Sequence, residues 1–305
     1  MKVLRVFPRR TSMTPLDNMV AIGPPGLWRP AADEVHISVT FSWDVEPGWR
    51  LAAAWGQFYP VVKLGGPAID GEGDTFCPGM YLREGVTITS RGCVRRCPWC
   101  IVDGPVRLLE IKPGWIVQDN NLLATGRPHL TAVFQMLRQQ QRAVTFAGGL
   151  DVRLLKDWMA EEIRSLRVDE VFLAADSDGT LPYLRRALDR LSFLPRYKKR
   201  CYVLWGFEGE PLVRGEARCR AAWEMGALPF AQLYQPIGGY IAWPLEVRRT
   251  VRCWQRPAII KARMRHESGP SEAKESFRNS SLFYSCSIDK VALGCYSNTR
   301  NQTGG

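Results

Sequence analysis

No apolar run in this 305-residue chain approaches the length of a bilayer span, so the sequence predicts no membrane partner. The opening "MKVLRVFPRR" carries basic residues with no apolar stretch behind them, and it does not read as an export signal. A chain without that signal is expected to be cytoplasmic, in a reducing compartment. There, nine cysteines argue against a disulfide framework and for metal binding or plain burial. Acids are scarce beside bases, with 30 Asp and Glu against 41 Lys and Arg. No internal repeat stands out beyond an alternation of strand and helix patterns.

What is present fits an ordinary globular protein. Hydrophobic residues make up 46% of the chain, enough for a core without staples. The net charge of +11 is uneven. Residues 196–265 hold fourteen Lys and Arg against five acids. Clustered positive charge points either to a polyanion such as nucleic acid or to a solvated basic face.

Four regions follow from composition and periodicity. Residues 1–80 form an N-terminal extension. In it "HISVTFSW" (36–43) reads as a strand, "EPGWRLAAAWGQF" (46–58) as a helix and "PVVKLGG" (60–66) as a strand. That is one βαβ unit, which implies parallel pairing. Residues 81–240 form the core. Strands are expected at 86–90, 114–124, 143–151, 169–178, 200–210 and 228–236, and helices at 130–140, 153–166, 181–191 and 215–227. Such alternation predicts an α/β fold with a parallel sheet wrapped by helices, either doubly wound or a barrel. Polar residues and glycines gather at the strands' carboxyl ends, the edge where such folds bind ligands. Residues 241–265 are basic and partly helical, broken at Pro257. Residues 266–305 are polar with little periodicity and read as a loosely ordered tail.

The densest chemistry is "RGCVRRCPWC" (91–100), directly after the first core strand. Its spacing is Cys93-x3-Cys97-x2-Cys100. Structural zinc wants four ligands, usually as two paired knuckles, and no second knuckle exists here. A fourth ligand would have to come from a scattered cysteine or a histidine. An iron–sulfur cluster on three thiolates would leave one iron open.

This loop resembles the C-x3-C-x-aromatic-C signature of the radical S-adenosylmethionine superfamily, with Trp99 in the aromatic slot. The resemblance covers residues 86–236, where five more strand–helix units follow the motif. It implies a parallel-stranded partial (β/α)6 barrel. It also implies a [4Fe–4S] cluster on Cys93, Cys97 and Cys100, with S-adenosylmethionine on the fourth iron. One-electron reduction would then cleave that cofactor to a 5′-deoxyadenosyl radical, the protein supplying binding and orientation. A flavodoxin-like or ferredoxin-like reductant is the implied partner.

The same resemblance places cofactor contacts at the strand ends. The family often has Gly-Gly-Glu after its second strand. Here "QDNN" stands instead, so Asp119, Asn120 and Asn121 would do that work; otherwise they form a turn or cap. Gly148 and Gly149 allow close approach after the third strand, and Asp151 meets ribose or caps a helix starting near Arg153. Asp176 is the inward polar group after the fourth strand, with Ser177 and Asp178 as turn and cap. Gly206 and Glu208 close the fifth. His129, in "GRPH", is either a contact or a helix-start residue. Arg95 and Arg96 would offset cluster charge or face solvent, and Pro98 shapes the loop.

The function expected is a radical S-adenosylmethionine enzyme. Nucleic acid, held by residues 196–265 with Trp254 in "RRTVRCWQR", is the first guess for its substrate; otherwise Trp254 is a core residue. Two alternatives stand beside it. One is a zinc-dependent nucleic-acid-binding module; the other is a degenerate member keeping the cluster alone. Cys286 and Cys295 raise a second cluster, while Cys201 and Cys219 read as buried small hydrophobes.

Overall fold

A computed structural model describes residues 1–71, 73–102 and 104–267. The chain divides into two compact units. The first comprises residues 1–148, 165–169 and 236–240; the second comprises 149–164, 170–235 and the chain from Ile241.

The first unit opens with four parallel strands. They are β1 (Val3–Phe7), β2 (Val20–Ile22), β3 (Glu34–Ser38) and β4 (Val62–Gly65), in the order β2-β1-β3-β4. Helix α1 (Val45–Trp55) joins β3 to β4. The expected βαβ unit is therefore present, with Val35 opposite Val62 and Ile37 opposite Leu64. Leu4, Val6, Val35, Ile37, Leu51 and Trp55 form one buried cluster. Strands β1 and β2 are additions to the sequence reading. The run "VLRVF" is too short to stand out alone, and β2 has no fully buried residue.

Three further parallel strands follow in this unit: β5 (Val86–Thr87), β8 (Ile116–Val117) and β9 (Val144–Leu150), whose first five residues belong here. Val86 lies opposite Ile116, and Ile116 opposite Thr145. Between β5 and β8 the chain forms a short antiparallel pair, β6 (Ser90–Arg91) with β7 (Arg107–Leu108). The strand expected at 86–90 is thus two strands of different partnership. The physical cause is Thr89, whose backbone N–H goes to a carboxylate rather than to a neighbouring strand. Helix α2 (Arg127–Arg138) buries Leu130, Val133, Phe134 and Leu137, one stripe at helical spacing. It starts after Gly126, with Pro128 in its first turn.

The second unit repeats strand and helix. Its elements are α3 (Asp157–Arg164), β10 (Val168–Ala174, from Glu170 on), α4 (Leu181–Arg190), β11 (Lys199–Trp205), α5 (Leu212–Glu224), β12 (Leu228–Leu233), α6 (Leu245–Cys253) and α7 (Pro257–Glu267). Strands β10, β11 and β12 pair in parallel. One face buries Val171, Leu173, Cys201, Val203, Trp205 and Ala231, and α5 packs on β11 and β12. On the other face Phe172, Tyr202 and Phe230 interlock, with Tyr202 stacked on Phe172 at 4.8 Å. Burial pushes the Tyr202 hydroxyl up to about 12.

Three expectations need correction. Helix α3 begins at Asp157, not near Arg153. Asp151 accepts from the Arg153 backbone N–H and from its Nε. It holds a turn and caps no helix. Pro257 opens α7 as well as closing what precedes it, since a missing N–H costs nothing in a first turn. Residues 266 and 267 belong to that helix; the rest of the expected tail, with Cys286 and Cys295, lies outside the described residues. Trp254 is a core residue, fully buried, with the Arg220 and Arg263 guanidinium groups over its ring. Cys201 and Cys219 are also buried, and burial raises both thiol pKa values. Among the described residues no helix is long and apolar enough to cross a membrane.

Candidate functional site

Parallel pairing sets the carboxyl ends of β5, β8 and β9 on one edge of the first unit. The cysteine loop, the 119–121 triplet and Gly148 all lie at those ends. The loop is closed at its base by the β6–β7 pair, Ser90 opposite Leu108 and Arg91 opposite Arg107. Gly92 begins it with φ +81°. A side chain there would sit 2.1 Å from the Pro105 carbonyl oxygen. The Cys93 N–H donates to the Gly104 carbonyl at 3.3 Å, and the Cys100 N–H to the Cys97 carbonyl at 3.0 Å. Cys93, Cys97 and Trp99 are half-buried and Cys100 is exposed. None of the three cysteines is in a disulfide. Arg95 is half-buried and Arg96 faces solvent.

The triplet after β8 holds this loop residue by residue. Asp119 is 2% exposed. Its Oδ1 accepts from the Thr89 backbone N–H at 2.8 Å. Its Oδ2 accepts from Thr89 Oγ1 at 2.7 Å and from Ser90 Oγ at 2.6 Å. Asn120 Oδ1 accepts from the Gly92 N–H at 3.0 Å. Asn121 Nδ2 donates to Cys93 Sγ at 3.2 Å, and the Arg95 N–H donates to the same sulfur at 3.3 Å. Three consecutive side chains therefore pin residues 89, 90, 92 and 93. Thr89 and Ser90 are the site residues that sequence reading missed. Hydroxyls in a strand carry no signal until the acceptor, thirty positions away in sequence, is placed against them. Gly148 belongs to the same construction, since a Cβ there would meet the Asp119 carbonyl oxygen at 2.1 Å.

Burial raises the Asp119 pKa, opposed by the Ser90 and Thr89 hydrogen bonds. His129 lies beside this pair, its Nε2 3.1 Å from Thr89 Oγ1. The Thr89 hydroxyl already donates to Asp119, so it accepts from an Nε2–H of His129. Burial lowers the His129 pKa from its ordinary 6.5, with Asp119 opposing. The unfolded chain then takes up the proton first. Stability from neutral His129 is complete above pH 6.5 and declines as pH falls through the window below it. Asp119 acts in the opposite sense, its raised pKa favouring the fold at low pH. Thermal denaturation at pH 7.5 and 5.5 is expected to show a loss on acidification that His129→Gln reduces. Equal losses in the two proteins would remove His129 from this role.

Asp151 and Asp176 lie in the second unit. Asp176 Oδ1 accepts from the Leu204 N–H at 3.2 Å, tying the end of β10 to β11. Gly149 has φ +86°, and a Cβ added there would lie 3.7 Å from the Tyr202 ring. Ser177 precedes a 3-10 turn beginning at Asp178 and makes no side-chain cap. Asp178 pairs with Arg214 and Arg218, which lowers its pKa. Arg218, 1% exposed, also binds Glu210 and the Leu204 carbonyl. Gly206 sits under the Trp243 ring, and Glu208, exposed, has φ +47°.

Among the described residues no three His, Cys, Asp or Glu are gathered within reach of one metal ion. The cysteine loop must draw its thiols together to hold one. Its donor set nonetheless fits an iron–sulfur cluster. Three thiols share one loop outside any disulfide, and two N–H groups point at the first sulfur, as they do to a thiolate ligand. No protein-family model matches the chain, and no curated protein matches it.

Proposed function

We propose that this protein is a radical S-adenosylmethionine enzyme, with Cys93, Cys97 and Cys100 as ligands of a [4Fe–4S] cluster. The observation that carries the reading is the cysteine loop itself. It follows a parallel strand at the ligand-binding edge and is pinned by the triplet after the next strand. When bound, cluster and cofactor supply a one-electron reductive cleavage yielding methionine and a 5′-deoxyadenosyl radical. The chain's own work is to fix Cys93 and direct hydrogen bonds to its sulfur. Such bonds stabilise negative charge on a thiolate and so bear on a cluster's potential. Asp119, Asn120 and Asn121 act first as positioning residues. Trp99 and Gly148, at the same edge, complete the proposed cofactor contacts of the first unit. A flavodoxin-like or ferredoxin-like protein is the proposed electron donor.

Nucleic acid is the proposed substrate class. Helix α6 exposes Arg248, Arg249 and Arg252, and α7 exposes Lys261 and Arg265, with Arg256 between them. Five cations on two consecutive helices and a sixth in the turn between them, with Glu246 and Glu267 as the acids of those helices, suit a phosphate backbone. Stacking on Trp254 is no part of this, because that ring is buried.

The test is anaerobic reconstitution with iron and sulfide, followed by electron paramagnetic resonance of the reduced protein. A [4Fe–4S] signal that changes on adding S-adenosylmethionine, and is lost in Cys97→Ala, is the expected result. Uptake of zinc with no cluster would replace this reading with a binding module. A cluster signal indifferent to the cofactor would mark a degenerate member.

A further inference from the structure

The order β2-β1-β3-β4 contains a reversal. From β1 the chain passes to β2 on one side, then crosses to β3 on the other. In open parallel sheets, connections diverge at such a point and leave a crevice at the strands' carboxyl ends, where ligands bind. A small recess, about 30 Å³ and open to solvent, lies there. Arg9 lines it after β1; Ser38, Thr40 and Asp44 line it from the end of β3 to the start of α1.

Ser38 points to a ligand. It is 7% exposed, lies on the recess wall, and its hydroxyl bonds to no described residue. The residue is buried but its hydroxyl oxygen is not: it opens into the recess, where a ligand could accept from it. Arg9 is the second feature. One guanidinium nitrogen engages the buried Asp44 carboxylate, while the Arg9 side chain stays 54% exposed. That pair cancels the Asp44 charge and leaves other donors of the guanidinium fork facing outward. Thr40 adds an exposed hydroxyl. Asp44 directly precedes α1, an eleven-residue helix, so the positive end of the helix dipole lies at the same place. The surroundings are rich in donors and poor in uncompensated negative charge.

We propose that this recess binds the phosphate group of a small phosphorylated molecule. The recess is small and open to solvent, so it has room for a phosphate group at its mouth and encloses no larger ligand. The proposal concerns the N-terminal sheet alone and does not rest on the radical-enzyme reading.

The test is calorimetric titration of the full chain with inorganic phosphate and, separately, glycerol phosphate. Saturable binding of one molecule per chain is expected, at least tenfold weaker in Ser38→Ala. Thermal denaturation of that variant should match the parent, since it removes a single unbonded hydroxyl. Arg9→Gln should weaken binding too, but it also uncovers Asp44, so Thr40→Val serves as the second quiet variant. Tighter binding of the ester than of free phosphate would identify an organic phosphate as the occupant; equal binding would identify phosphate itself. No saturable binding of either, or binding indifferent to both Ser38→Ala and Thr40→Val, would overturn the proposal.

Discussion

Asp119→Ala is expected to destabilise the first unit by about 3 kcal/mol and to release the cysteine loop. The carboxylate accepts three hydrogen bonds from Thr89 and Ser90, both fully buried. Each buried donor left without an acceptor costs about 1–3 kcal/mol. The hydroxyls of Thr89 and Ser90 can rotate to other acceptors, but the Thr89 backbone N–H cannot. Relief from burying a carboxylate offsets part of the loss, since burial already raises its pKa. Asp119→Asn supplies the contrast. It keeps an oxygen for the Thr89 N–H and presents an NH2 that both hydroxyls can accept, at a cost of about 1 kcal/mol. Amide hydrogen exchange across residues 86–93, read by mass spectrometry, separates these outcomes. Protection retained in the alanine variant would show that the strand pairing, not the carboxylate, holds this segment.

Gly92→Ala is expected to prevent the loop from closing. A left-handed backbone costs an L residue about 1–2 kcal/mol, and Gly92 sits at φ +81°. The added Cβ would lie 2.1 Å from the Pro105 carbonyl oxygen, which is backbone and has no rotamer to yield. Relief requires moving 104–106 away from 92–93, which breaks the Cys93 to Gly104 hydrogen bond. The Asn120 bond to the Gly92 N–H lies on the same hinge. Iron retained per chain after reconstitution should fall by more than half, with the far-ultraviolet circular dichroism of the chain unchanged. Full iron retention would mean that the thiols reach a metal without the closed loop base.

These two effects concern the part of the site that was least visible in the sequence. Cys93, Cys97 and Cys100 announce themselves by spacing. The triplet Asp119, Asn120 and Asn121 stands out as polar residues at the end of an apolar strand. Their use was not legible, because each side chain acts on a residue nearly thirty positions earlier. The strand at 86–90 shows the same limit. Its apolar pattern is real, since Val86 and Ile88 are buried. Only the arrival of Asp119 turns Thr89 away from the sheet and sends Ser90 and Arg91 to pair with β7.

Local pattern determined the elements of this protein. Alternation of apolar strands with helical stripes, and the breaks at Gly126 and Pro257, follow from backbone sterics and burial periods within a few residues. Parallel pairing followed as well, because strands separated by a helix leave little else. Tertiary structure alone decided the hairpin base of the cysteine loop, the acceptor for Thr89 and Ser90, the burial of Trp254 and the recess beside Ser38. Each depends on hydrogen bonding or close approach between segments distant in the chain, and periodicity carries no record of which distant partner a polar side chain will meet.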